Sequence, residues 1–195
     1  ERFGVDKPDL RYGLELVDLA EWAKQSEFAV FRDTIARGER VMGIRVPAQH
    51  PLTRKDIDGL EEQAKSSGAK GLAWWKLAAE GGSGPLSKFT AGEQGQKLRA
   101  RMQAQDGDTL LFVAGKQNLV WRVLGELRVA LGKKFDLAKG EWRFTWVTSF
   151  PMFEYDEQEK RWFSAHHPFT APVDWTMGGE NPDLAAQVSR AYDLV

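Results

Sequence analysis

The chain has 195 residues, 42% hydrophobic and 28% charged, enough for a genuine core in one large domain or a small domain joined to parts of another. A formal net charge of −1 argues against a strongly basic nucleic-acid platform, without excluding a nucleic-acid enzyme whose basic surface lies elsewhere. The absence of cysteine removes disulfides, Cys-ligated zinc and thiol catalysis, and no run approaches the roughly 18 apolar residues of a membrane span.

In chain order, Asp18 is placed to cap a short helix over Leu19 to Lys24, with Trp22 and Ala23 inward. Phe28 to Ile35 and Arg40 to Val46 read as two strands of a hairpin turning at Arg37-Gly38-Glu39. Thr53-Arg54-Lys55-Asp56 has the form of a capping box with Asp in place of Glu. The helix it opens carries Ile57, Leu60 and Ala64 on one face and ends at Gly68. A strand is predicted over Leu72 to Leu77, then a glycine-rich loop over Ala79 to Pro85. Thr90-Ala91-Gly92-Glu93 suggests a second cap before a weaker helix with Leu98 and Met102 inward. Asp106-Gly107-Asp108 turns into a strand over Thr109 to Ala114. A long helix follows from about Asn118, with Val120, Val123, Leu124, Leu127 and Leu131 as its apolar stripe and Gly132 as its stop. The predicted class is α+β, a two-layer arrangement with helices on one face of a mostly antiparallel sheet.

From Trp142 the character changes. Trp142 to Phe150 and Trp162 to Phe169 are aromatic runs joined by a charged tip, Asp156 to Arg161, and predict a long antiparallel hairpin. His166 and His167, two of the chain's three histidines, stand before Pro168 at its end. On a strand they face opposite sides, so one pocket can take only one of them. Adjacent strand residues diverge, and no third partner is near, so no metal site is predicted at this pair. His50 is a loop histidine without a supporting pattern. Lys7 and Arg11 could meet phosphate or pair with Asp6 and Asp9, and the pairing is the preferred reading. Trp74-Trp75 could stack on RNA bases only if one ring is exposed. Glu154 and Asp156 sit at a hairpin end and read as solvated.

Several of these stretches together resemble one family. Phe3-Gly4-Val5-Asp6-Lys7-Pro8-Asp9-Leu10-Arg11 is similar to the (F/Y)G-x-DKPDLR signature of bacterial-type aspartyl-tRNA synthetases, which belong to class II. Phe150-Pro151-Met152-Phe153-Glu154 and His166-His167-Pro168-Phe169-Thr170-Ala171-Pro172 resemble its FP(L/M)FE and HHPFTxP motifs. Between them, Glu27 to Phe31, Leu52 to Lys55, Gly68 to Ala73 and Ala104 to Asp108 resemble its large insertion, the GAD domain, also shared with an archaeal tRNA-dependent amidotransferase subunit.

The resemblance covers nearly the whole chain. It implies a catalytic-core strip at 1–16, a GAD-type insertion domain at 17–138, and a return to the core at 139–195 carrying a β-hairpin of the class II antiparallel catalytic sheet. It further implies activation of L-aspartate with ATP and Mg2+ to aspartyl-adenylate, then transfer to the 3′ end of tRNA, in a cytoplasmic homodimer with no membrane association. His166 matches the family's aspartate-contacting histidine, and His167 is the weaker second candidate. The chain opens without Met and ends in an apolar run, which reads as a piece cut from a longer protein. The ATP-clamping motifs find no match in it, so no catalytic residue is assigned and the isolated piece is expected to be inactive. The alternative reading is a free-standing GAD-type module that binds tRNA or serves structure alone. The two synthetase-core stretches flanking the insertion favour the first.

Overall fold

The computed structural model describes residues 2–174 and 183–195. They form two compact units, Glu1–Glu141 and Trp142–Val195.

The first unit is built on a four-stranded antiparallel sheet. Its strands are β1 (Leu16–Asp18), β2 (Arg40–Val46), β3 (Ala73–Lys76) and β4 (Thr109–Gly115), in the order β1-β2-β4-β3. The central pair is in register from Arg40 opposite Gly115 to Val46 opposite Thr109. Five helices surround it: α1 (Ala20–Lys24), α2 (Ala29–Ala36), α3 (Arg54–Ser66), α4 (Gly92–Met102) and α5 (Gln117–Lys134).

The α+β class and the antiparallel sheet are as predicted, but the layering is fuller than the expected two layers. Side chains alternate along a strand, and both faces here are apolar. Leu111, Val113 and Trp74 pack with α3 and α5, while Leu110, Phe112 and Trp75 pack with α1, α2 and α4. Helices therefore cover both sides of the sheet. Each such fully buried side chain contributes about 1.5–3 kcal/mol relative to exposure.

Three local expectations are corrected. Phe28 to Ile35 is not a strand: residues 29–36 form α2. Phe28 packs edge-on against Phe31 at 4.8 Å, and Phe31 and Thr34 are buried, so the three-residue spacing outweighs the β-prone composition. Arg37-Gly38-Glu39 is thus the turn from a helix into β2. Second, Thr90 does not cap α4; its hydroxyl donates to the carbonyls of Leu86 and Ser87, and Ala91 is the N-cap. Third, Gly132 does not stop α5, which continues to Lys134. A Cβ at Gly132 would stand 2.5 Å from the Tyr12 ring, and one at Gly125 would stand 2.5 Å from the Gly4 carbonyl oxygen. These glycines let residues 3–12 lie directly on the helix.

Elsewhere the local chemistry is as read. Asp18 accepts the Ala20 N–H at 2.8 Å at the start of α1. Thr53 and Asp56 close a reciprocal capping box on α3, with Ile57, Leu60 and Ala64 buried.

In the second unit, β5 (Trp146–Val147) pairs with β8 (Asp193–Leu194), and β6 (Phe153–Asp156) pairs with β7 (Arg161–Ser164). The expected long hairpin between 142–150 and 162–169 does not form. The first run pairs with the chain's last residues instead, Thr145 and Val195 exchanging hydrogen bonds of 2.9 and 3.0 Å. Ser149 adopts φ +62°, which breaks the extended run before Pro151. The shorter hairpin keeps the predicted tip, where the Asp156 carboxylate accepts the N–H groups of Gln158 and Glu159.

Candidate functional site

Residues 187–190 run between two other segments of the second unit. The Ser189 N–H donates to the Phe150 carbonyl and the Met152 N–H to the Gln187 carbonyl, both at 2.8 Å. On the other side, Val173 donates to Val188 at 2.8 Å and Arg190 to Ala171 at 2.9 Å. Ala165 donates to the Met152 carbonyl at 3.0 Å, joining the end of β7 to this lattice. The motif stretches 150–154 and 166–172 are thereby brought together around Ser189.

His166 and His167 lie just beyond β7, not within it, so strand alternation does not separate them; their individual hydrogen bonds do. His166 is half-buried, its ring edge-on to Phe150 at 5.9 Å, with Nε2 3.3 Å from the Ser189 hydroxyl. Its backbone is held by Ser164, whose hydroxyl donates to the His166 carbonyl at 2.8 Å. Ser189 is 1% exposed, and its Oγ also accepts the Ala191 N–H at 3.3 Å. Two contacts to one buried hydroxyl fix where the imidazole stands, with Nε2 turned to Ser189. The arrangement is a histidine whose ring is held in place by a buried hydroxyl and an aromatic edge.

His167 is exposed and turned to its own loop. Its Nδ1 accepts the Phe169 N–H at 3.2 Å, its carbonyl accepts the Thr170 N–H at 2.8 Å, and its ring meets Phe169 at 4.6 Å. That pattern fixes the His-His-Pro turn.

The other candidates fall elsewhere. Trp74 and Trp75 are 7% and 1% exposed, on opposite faces of the sheet, so neither ring is open for stacking on a base. Arg11 forms a two-point pair with Asp9 at 2.7 and 2.9 Å, and this hydrogen bonding holds the Asp9 carboxyl below its usual range. His50 packs its ring on Phe135 at 4.9 Å. Glu154 is exposed on β6, and Asp156 is committed to its turn. Among the described residues, no group of three or more His, Asp or Glu comes together to hold a metal.

Sequence reading missed Ser189. A lone serine between Val188 and Arg190 carries no pattern; only the pairing of three distant segments brings it to His166.

A GAD domain model matches residues 31–124. Over its whole length the chain is also similar to curated proteins of about three times its size. It is 45% identical to the aspartate–tRNA ligase of Clostridium perfringens, covering 33% of that protein. It is 48% identical to the aspartate–tRNA(Asp/Asn) ligase of Desulfotalea psychrophila (32% covered) and 45% identical to that of Anoxybacillus flavithermus (33% covered). The chain spans about a third of the length of the curated relatives it matches.

Proposed function

We propose that this chain, which corresponds in sequence to the GAD-bearing third of bacterial aspartate–tRNA ligases, works as part of such a ligase and supplies one wall of its aspartate site. The observation that carries the reading is His166, half-buried, with Nε2 3.3 Å from the hydroxyl of the buried Ser189. Aspartate brings two carboxylates, and an imidazole held in place is a matching hydrogen-bond donor for one of them.

In the proposed reaction, an oxygen of the aspartate α-carboxylate attacks the α-phosphorus of ATP, and pyrophosphate leaves. A hydroxyl of the terminal adenosine of tRNA then attacks the acyl carbon, and AMP leaves. Such transfers are accelerated by positioning and charge stabilisation and need no protein nucleophile. His166 binds and orients the substrate, whereas His167 fixes the turn behind it. ATP and magnesium belong to the whole ligase. The domain limits 1–16, 17–138 and 139–195, the homodimer and the cytoplasmic location form part of the same proposal. No helix among the described residues is long and apolar enough to cross a membrane.

The test is the aspartate-dependent exchange of labelled pyrophosphate into ATP by the full-length ligase containing this chain. Exchange with aspartate and not with glutamate or asparagine supports the reading; exchange dependent on another amino acid removes it.

A further inference from the structure

We propose that residues 78–86 are a detachable strap over the outer edge of β3, and that its release lets β3 pair edge to edge with β3 of a second copy. Among the described residues, the order β1-β2-β4-β3 leaves β1 and β3 as the edges of the sheet. β1 has three residues, and its Leu16 N–H and Asp18 carbonyl already bond to the Arg2 carbonyl and to Arg101. β3 carries Trp74 and Trp75, and an apolar edge of that kind is where another chain adds a strand.

The strap stands in the place of that added strand. The Leu77 N–H donates to the Asp108 carbonyl at 2.9 Å, so alternation turns the backbone groups of Trp74 and Lys76 outward. There Lys76 and Ser83 exchange hydrogen bonds of 2.8 and 2.9 Å, and the Leu86 N–H meets the Trp74 carbonyl at 3.4 Å. The Trp75 indole N–H donates to the Gly81 carbonyl at 2.7 Å, and Arg99 donates to the Ala78 carbonyl at 2.9 Å. Glycine at two positions permits so close an approach. Gly82 has φ +81°, and a Cβ there would collide with the Lys76 carbonyl oxygen. Gly84 has φ +120°, and its Cβ would stand 2.5 Å from the Trp74 carbonyl oxygen.

The hold of the strap is local. Residues 78–83 are exposed, while Leu86 at its end is buried and anchors it. Exposed backbone hydrogen bonds open more readily than those of a core sheet. Lifting the strap frees the outward groups of Trp74 and Lys76 and leaves the pairing of β3 with β4 as it was. A second β3 offers the same groups in return. An antiparallel pair centred on Trp75 sets Trp74 of each copy opposite Lys76 of the other, a self-complementary two-fold contact that places no like charges face to face.

The experiment uses the full-length protein containing this chain. In hydrogen exchange on the parent, the Lys76 and Ser83 amides should exchange together, about a hundredfold faster than those of Leu110 and Leu111 in β4. Equal rates at all four would show that the strap opens only with the sheet, and would overturn the proposal. Sedimentation velocity then compares three variants. Gly82→Val expels the strap, Gly82→Val with Lys76→Pro also removes an outward N–H, and Gly71→Ala alters a glycine outside the strap with open space around its Cβ. Gly82→Val should form assemblies larger than the parent, in a share that grows with protein concentration, and the other two should sediment like the parent. Parental size in Gly82→Val, association that survives Lys76→Pro, or loss of β4 amide protection in Gly82→Val each overturns the proposal. Neither measurement involves aspartate, ATP or tRNA, so failure here is separate from failure of the ligase reading.

Discussion

The guanidinium of Arg128 lies over the ring of Phe3 at 4.7 Å and over that of Tyr12 at 5.3 Å, wholly buried between α5 and the chain's first residues. It donates to the carbonyls of Asp9 and Gly13 at 2.7 and 3.1 Å, and its Nη1 has no hydrogen-bond partner among the described residues. Desolvation lowers its pKa from the usual arginine value, offset in part by the Asp9 charge. Arg128 thus ties residues 3–13 to the helix. Arg128→Met removes both donations and leaves two carbonyls poorly satisfied, at a cost of about 2–4 kcal/mol. In hydrogen exchange, the Leu16 and Gly13 amides should lose protection while those of β4 keep theirs. Equal loss throughout the unit would contradict a local tie.

Asp56 joins the Thr53 capping box to Lys134 at the end of α5, through a 2.7 Å contact to the ammonium group. The Lys134 hydrogen bond, then those from Thr53, hold its carboxyl well below the usual carboxylate range. A depressed folded-state pKa contributes stability that is full above the unfolded value, near 4, and is lost as pH falls below it. Asp56→Asn should therefore be less stable than the parent near neutral pH, and the difference should shrink in acid. A pH-independent difference between their denaturation midpoints would rule out this linkage. Thr53→Ala, which removes the reciprocal cap, should cost about 1 kcal/mol.

Ser189 acts through His166. Ser189→Ala in the full-length ligase keeps the imidazole but frees its ring angle. The KM for aspartate should rise about three- to tenfold with little change in that for ATP, since one neutral hydrogen bond is worth roughly 1 kcal/mol. Ser189→Thr, which retains the hydroxyl, should recover part of the loss. Equal rises in both KM values would assign Ser189 to general packing.

Much of the first unit was legible from local chemistry. The Thr53-Asp56 box, the apolar stripe of α5 and the strand run of Thr109 to Ala114 are each written within a few residues. What escaped was non-local. Phe28 to Ile35 has the composition of a strand, and only the buried spacing of Phe31 and Thr34 against the sheet makes it α2. Gly132 has the look of a helix end until Tyr12 arrives from 120 residues earlier to rest on it. In the second unit the motifs were legible but their geometry was not. Residues 142–150 could not announce that their partner is the chain's last strand rather than 162–169. The pairing of His166 with Ser189 spans 23 residues and rests on that same rearrangement.

The ligase reading turns on His166 facing the aspartate substrate while His167 does not. The direct measurement is pyrophosphate exchange by the full-length ligase against aspartate concentration, for His166→Ala and His167→Ala side by side. His166→Ala should raise the KM for aspartate by one to two orders of magnitude, about 1.5–3 kcal/mol for a hydrogen bond to a charged group, with the KM for ATP near the parent value. His167→Ala should change it several-fold at most. An unchanged aspartate dependence in His166→Ala, or a larger effect at His167, would contradict that assignment.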